Sequence, residues 1–207
     1  VIGETSLAQQ CGELLLERGH RIYGVISPNP AVLQWAVEKK IPSLPSLDAC
    51  DSFLRQHEFD YLFSIVNNAV LPDKTLALPQ KQAINFHDAL LPRYGGIHAT
   101  SWAIMNREKN HGITWHVMTS RIDAGPILKQ QAIALQPDET ALSLNIKCYQ
   151  AARAAFAELI DELSSGTAVE KPQNLVTRSY FGRDRRPPAG CLISWDRSAE
   201  DIDAFVR

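Results

Sequence analysis

The chain has 207 residues, 45% apolar and 21% charged, with a net charge of -2. A chain of this size buries about 70% of the surface its unfolded form exposes, so it needs no disulfide or metal staples. The near-balanced charge excludes nucleic-acid binding through a broad basic face, and no apolar run approaches the roughly 20 residues that span a bilayer.

Val1-Ile2-Gly3 reads as the tail of a strand leading into a helix. Thr5 or Ser6 can cap that helix, Leu7, Cys11, Leu14 and Leu15 recur at helical spacing, and Gly19 stops it. A short strand follows at 21–27. The next helix is expected over 29–40, with Asn29 as cap and Pro30 at its first position. A brief extended piece lies in 41–47, a third helix in 48–57, an apolar strand at 59–66, a helical turn near 71–79 and a strand at 82–87. Apolar strands alternating with helices indicate a parallel sheet covered on both faces.

The second half reads differently. A helix is expected at 98–109, then strands at 112–118 and 127–135 joined by the Arg121-Ile122-Asp123-Ala124-Gly125-Pro126 turn. A long amphipathic helix spans 139–166 and ends at Gly166. Its stripe is Leu142, Leu144, Ile146, Tyr149, Ala152, Phe156, Leu159, Ile160 and Leu163. The expected fold class is α/β: an open, mostly parallel, Rossmann-like sheet with helices on both faces and an antiparallel edge hairpin. Residues 1–166 form the expected catalytic domain. From Thr167 the chain turns polar, and 167–207 reads as a linker and the cut-off start of a C-terminal subdomain. Gly3-Glu4-Thr5-Ser6-Leu7 is not a dinucleotide fingerprint.

Cys11, Cys50, Cys148 and Cys191 form no CxxC pair and are expected to be free thiols in a reducing compartment, the cytoplasm. His98, His111 and His116 lack i,i+4 spacing and a carboxylate set, so no metal site is expected.

The 84–96 stretch, INFHDALLPRYGG, interrupts this pattern. Side chains at i and i+2 share one face of a strand, so Asn85 and His87 project together, opposite Phe86. Open α/β sheets place ligands at the carboxyl ends of their strands, and His87 lies at such an end. An amide and an imidazole there can hold a carbonyl and manage a proton. A carboxylate is needed to orient the ring, and Asp123 in the hairpin turn is the candidate. The residue pattern alone also allows a surface histidine, a plain Asp-Ala-Gly turn and a loop-capping asparagine.

INFHDALLPRYGG, followed some thirty residues later by RIDAGPIL, resembles the signature of the folate-dependent formyltransferases. That family includes the methionyl-tRNA, glycinamide ribonucleotide and sugar N-formyltransferases. The resemblance runs from residue 1 to about 165. It implies that Asn85, His87 and Asp123 are the catalytic trio and that 10-formyltetrahydrofolate is the formyl donor. It implies a folate site lined by the loop 67–71, with Asn67, Val70 and Leu71, and by Arg121 and Ile122, with Leu91 close by. YGGIHATSW, GITWHVM and RSYFG resemble, more narrowly, the formyltransferase domains that open nonribosomal peptide synthetases. This implies an aminoacyl group on a carrier protein's phosphopantetheine arm as acceptor, adjacent synthetase domains as partners, and Tyr94 and His98 at the arm's entrance. Ala89 and Gly95 stand where the tRNA enzymes carry Ser and Arg, and both point away from a tRNA substrate. A sugar N-formyltransferase acting on a nucleotide-linked amino sugar, a methionyl-tRNA formyltransferase and a non-catalytic folate-binding module are the alternatives. Arg183, Arg185 and Arg186 read as a solvated linker or as a contact for an acidic carrier protein.

Overall fold

A seven-stranded sheet in the order β3-β2-β1-β4-β5-β7-β8 organises the chain. The computed structural model describes residues 1–207, apart from the side chain of Pro188. The elements in chain order are β1 (Ile2–Gly3), α1 (Ser6–Glu17), β2 (Val25–Ile26), α2 (Pro30–Glu38), β3 (Ser43–Leu44), α3 (Cys50–Leu54), β4 (Tyr61–Ile65), α4 (Asp73–Leu76), β5 (Gln82–His87), β6 (Gly95–Gly96), α5 (Ala99–Met105), β7 (Asn110–Val117), β8 (Ile127–Ala134), α6 (Ala141–Ser165), β9 (Tyr180–Phe181) and α7 (Ala199–Val206). Strands β1 to β5 run parallel, and β7 and β8 add antiparallel at one edge. This is the expected open α/β sheet with its edge hairpin. No helix among the described residues is long and apolar enough to cross a membrane.

The parallel register sets which side chains share a face. Phe63 pairs with Ile84 and Ile65 with Phe86, and all four join α1 and α6 in the larger core. Phe156 of α6 anchors it, edge-on to Phe63 and tilted against Trp115 at centroid distances of 5.0 and 4.7 Å. The opposite face carries Leu62 and Ala83 in a smaller core with α3 residues Cys50 and Leu54. Asn85 and His87 belong to that second face, beyond the end of its apolar packing.

Helix α6 starts on a capping box, Thr140 with Ser143, and stops at Gly166, whose φ of 71° suits glycine. Leu142 and Ile146, expected in its buried stripe, are exposed. At 100° per residue they share one face, while Leu144 and Cys148, two positions off, share the buried one. The helix expected at 98–109 ends at Met105, because Arg107 turns left-handed and Glu108 N–H reaches back to the Ala103 carbonyl. Cys11, Cys50 and Cys148 are free and buried, and Cys191 is free and exposed.

The segment past Gly166, expected as linker, lies against the body. Lys171 exchanges two backbone hydrogen bonds with Ile127, both 2.8 Å. Strand β9 pairs in parallel with β6 as a second, two-stranded sheet. Phe181 is buried there, stacked on Tyr94 at 5.3 Å and tilted on Trp102 at 4.5 Å. Helix α7 packs on α5, and Arg107 of the α5–β7 connection pairs with Asp201 at 2.8 Å. The segment looked like a linker because so few of its residues, Phe181 and Ala204 among them, reach a core.

Candidate active site

The site forms where β5 ends. The row next to the core aligns Ser64, Asn85 and His116 across β4, β5 and β7. One step further along, His87 pairs with Thr114, and Thr114 with Gln130. Thr114 and Gln130 stabilise the turn after β5. The Thr114 hydroxyl donates to the Ala89 carbonyl at 2.6 Å and accepts from Leu91 N–H at 3.2 Å; Gln130 donates to the Leu91 carbonyl at 3.0 Å. Backbone groups buried in a turn need such partners, and meeting that need fixes where His87 stands.

His87 is buried, and its Nε2 lies 2.8 Å from the Tyr94 carbonyl. A carbonyl only accepts, so Nε2 carries the proton and Nδ1 is the working nitrogen. Nδ1 is 3.9 Å from Asp123 Oδ2 and 3.9 Å from Asp88 Oδ1. Burial pulls the pKa of His87 down, but the charges of Asp123 and Asp88 and the Tyr94 hydrogen bond outweigh it and leave it raised.

Asp123 is held from several sides. Gly96 N–H donates to its Oδ2 at 2.8 Å, and His116 Nε2 lies 3.5 Å from its Oδ1. Burial opposes ionisation; the charge of His87 and the Gly96 N–H prevail and keep its carboxyl well below the usual range. Its backbone is left-handed, φ 52°, and the Gln173 amide donates to the Asp123 and Gly125 carbonyls at 3.1 and 2.7 Å. Gly125 is required because a Cβ there would meet the Val117 carbonyl oxygen at 1.9 Å. Gly96 has φ 103°, and a Cβ on it would meet the Phe181 carbonyl oxygen at 2.1 Å.

Asn85 completes the group. Its Nδ2 donates to His116 Nε2 at 3.2 Å, while His116 Nδ1 is spent on the Val117 carbonyl at 3.0 Å. The second amide hydrogen of Asn85 remains for a ligand. All three residues expected as a trio line one cleft of about 700 Å3. An amide donor, a positioned imidazole and an ionised carboxylate at one spot can stabilise an oxyanion and move a proton.

The other expected contacts divide. Asn67, Val70, Leu71, Ile122 and His98 line the cleft. Leu91 does not: it is buried in the turn, held by Thr114 and Gln130. Arg121 is exposed outside the lining. The Tyr94 ring also turns away, its hydroxyl donating to Glu108 at 2.6 Å and its ring stacking on Phe181. What Tyr94 brings to the site is its carbonyl. Of the basic run, Arg183 lines the cleft, whereas Arg185 lies over the Phe181 ring at 4.8 Å.

Sequence reasoning missed His116, Gly96 N–H, Gln173 and the cleft lining of Asp88, Thr100, Ser101, Asn145 and Tyr149. The His116 signal existed, since His116 faces Asn85 once β7 pairs antiparallel with β5. The register that reveals it is not written in either strand alone.

Known proteins share this fold. The chain is similar in fold to an N-formyltransferase from Helicobacter canadensis, solved with folinic acid and dTDP-3-aminofucose, with a TM-score of 0.83 and 21% identity over 100% of this chain and 78% of that one. A 4-N formyltransferase from Francisella tularensis gives 0.79 and 17% over 100% and 86%. A phosphoribosylglycinamide formyltransferase from Anaplasma phagocytophilum gives 0.72 and 25% over 80% and 85%. Residues 21–160 match the family model described as formyl transferase. With that match covering most of the sequence, and the cleft sitting at the end of β5, the chain belongs to the formyl transferase family and is an enzyme that transfers formyl groups.

Proposed function

We propose that the enzyme moves a formyl group from 10-formyltetrahydrofolate to the amine of an aminoacyl group carried on a phosphopantetheine arm. The observation that carries the transfer is the convergence of Asn85, His87 and Asp123 in one cleft. The folate supplies the one-carbon group. A flat, amide-rich ring needs apolar walls and free backbone donors. Val70, Leu71, Met118 and Ile122 line one part of the cleft, and the backbone N–H groups of Val70 and Leu71 make no hydrogen bond among the described residues. That loop and the Ile122–Asp123 turn fit the ring. The Helicobacter and WlaRD relatives were solved with folinic acid and 5-N-formyl-THF, which agrees with a folate donor here.

The chain's residues then have separable tasks. Asn85 donates its free amide hydrogen to the charge that develops on the formyl oxygen; one such donor contributes on the order of 10²–10³ in rate. His87, raised in pKa and held by Tyr94, carries a proton between the acceptor amine and the departing nitrogen, a contribution of roughly 10²–10⁴. Asp123 keeps the ring oriented and favours its charged form.

The acceptor reading rests on charge. Arg183 is the one Lys or Arg among the described lining residues, against the carboxylates of Asp88 and Asp123. A pantetheine arm is neutral along the length that would enter the cleft, whereas a nucleotide diphosphate carries two or more negative charges to neutralise. The partner would be a carrier protein within a synthetase. The second reading, a nucleotide-linked amino sugar, is favoured by the Helicobacter N-formyltransferase, solved with dTDP-3-aminofucose, and by WlaRD, named a sugar 3N-formyl transferase and solved in the presence of dTDP. Supplying 10-formyltetrahydrofolate with aminoacyl-loaded carrier protein in one reaction and dTDP-linked amino sugars in another, read by mass spectrometry, separates them. Formylation of the carrier-bound group supports the proposal; formylation of the sugar alone replaces it.

A further inference from the structure

Asp88 is a carboxylate of the cleft that the trio does not use. It directly follows β5, and its backbone carbonyl is fixed by His111 Nε2 at 2.6 Å. Its carboxylate accepts no hydrogen bond among the described residues, and Oδ1 lies 3.9 Å from His87 Nδ1. The side chain is 24% exposed and lines the cleft. Asp123, at the same distance from the same nitrogen, differs in being bound by Gly96 N–H and flanked by His116. The His87 ring is thus placed between a carboxylate with its partners met and one with lone pairs to spare.

No side chain around Asp88 donates a hydrogen bond to its carboxylate among the described residues. His87 stands on β5 and the buried His111 on β7. Cys148 and Tyr149 of α6 lie near enough to feel its charge, and both have their pKa raised, by burial first and by Asp88 second or third. Thr100 and Ser101 of α5 and Asn145 of α6 are neutral, and the Arg183 guanidinium reaches 3.5 Å from the Asn68 carbonyl, on the loop after β4. A half-buried carboxylate with no donor is costly unless a ligand supplies one.

We infer that Asp88 binds the acceptor's amine in its protonated form and takes one of its protons. This rests on the formyl-transfer reading above. The amine arrives as R–NH3+ and gives one proton to Asp88, which passes it to solvent. The nitrogen lone pair forms the new C–N bond to the formyl carbon. As the bond from that carbon to the donor nitrogen breaks, a second amine proton reaches the donor nitrogen through His87. One formyl group moves and one proton is released. Asp88 thereby holds the amine beside the base that serves it, and a neutral or aromatic amine loses the contact.

The test compares wild type, Asp88→Asn and Asp88→Glu with 10-formyltetrahydrofolate and three probes: alanyl-pantetheine thioester, leucyl-pantetheine thioester and a dTDP-linked amino sugar. For whichever probe the wild type formylates, Asp88→Asn is expected to raise the acceptor KM by about 10- to 100-fold, the loss of one charge-assisted contact. The KM for 10-formyltetrahydrofolate stays unchanged. The rise in acceptor KM as pH passes the amine's pKa disappears, and Asp88→Glu recovers part of the binding. An acceptor KM unchanged in Asp88→Asn overturns the inference. So does a fall in kcat alone with a shifted pH profile, which would make Asp88 only a neighbour that tunes His87. A wild type that formylates none of the probes removes both acceptor readings above and this inference with them.

Discussion

The cleft around His87 and the packed region around His111 meet at Asp88, and each buries a histidine whose Nε2 is bound to a backbone carbonyl. Their titration runs in opposite directions. His111 is lowered, by burial first, against the Asp88 carbonyl and charge that raise it. His87 is raised, because Asp123 and Asp88 both lie 3.9 Å from its Nδ1. Similar rings in similar burial are thus pushed apart, His111 toward its neutral form and His87 toward its charged form. The difference lies in whether carboxylates reach the second nitrogen, not in depth.

The largest break in that comparison is His87→Ala, expected to reduce turnover by roughly 10²–10⁴, with Asn85→Ala reducing it on the order of 10²–10³. His111→Gln, by contrast, should keep turnover within severalfold and show its effect in stability. Single-turnover formyl transfer and urea denaturation separate the two histidines.

Next in size is Asp123→Asn. Removing the first of the charges that raise His87 brings its pKa down, so the histidine limb of the pH–rate profile moves to lower pH. Stability responds as well. The depressed carboxyl of Asp123 contributes above its unfolded pKa of about 3.9 and loses that contribution as pH falls through its native value. The urea midpoints of wild type and Asp123→Asn should therefore differ at neutral pH and begin to converge as pH falls below about 4.

The smaller effects lie in the supports. Gly96→Ala forces a Cβ into the Phe181 carbonyl at a left-handed φ and should cost about 1–3 kcal/mol, read by thermal denaturation. Gln173→Ala removes two hydrogen bonds to the Asp123 turn and should cost about 1–2 kcal/mol, with folate affinity falling as the turn loosens. A folate Kd unmoved by Gln173→Ala would show that the tail does not brace the donor site.

How far the sequence reached follows from the same geometry. Asn85 and His87 were legible because strand alternation alone puts them on one face, and Asp123 because a turn must join the two antiparallel strands. His116 was not, because its place beside Asn85 depends on how β7 aligns with β5. Leu91 and Tyr94 were assigned to ligands because they flank the motif; the turn after β5 buries one and rotates the other onto Phe181. Strand β9 has two residues, too short for any periodicity, yet it pairs with the same Gly96 whose N–H holds Asp123. Local pattern marked the residues that face the cleft, and long-range pairing decided what supports them.

The central claim is that one amide, one imidazole and one carboxylate act as a unit on a folate-borne formyl group. Its most direct test is to measure, in wild type, Asn85→Ala, His87→Ala and Asp123→Asn, both 10-formyltetrahydrofolate affinity by calorimetry and single-turnover transfer to the acceptor amine. The account predicts binding near wild type in all four and transfer lost in the three variants. Transfer at wild-type rate in His87→Ala or Asp123→Asn would contradict it.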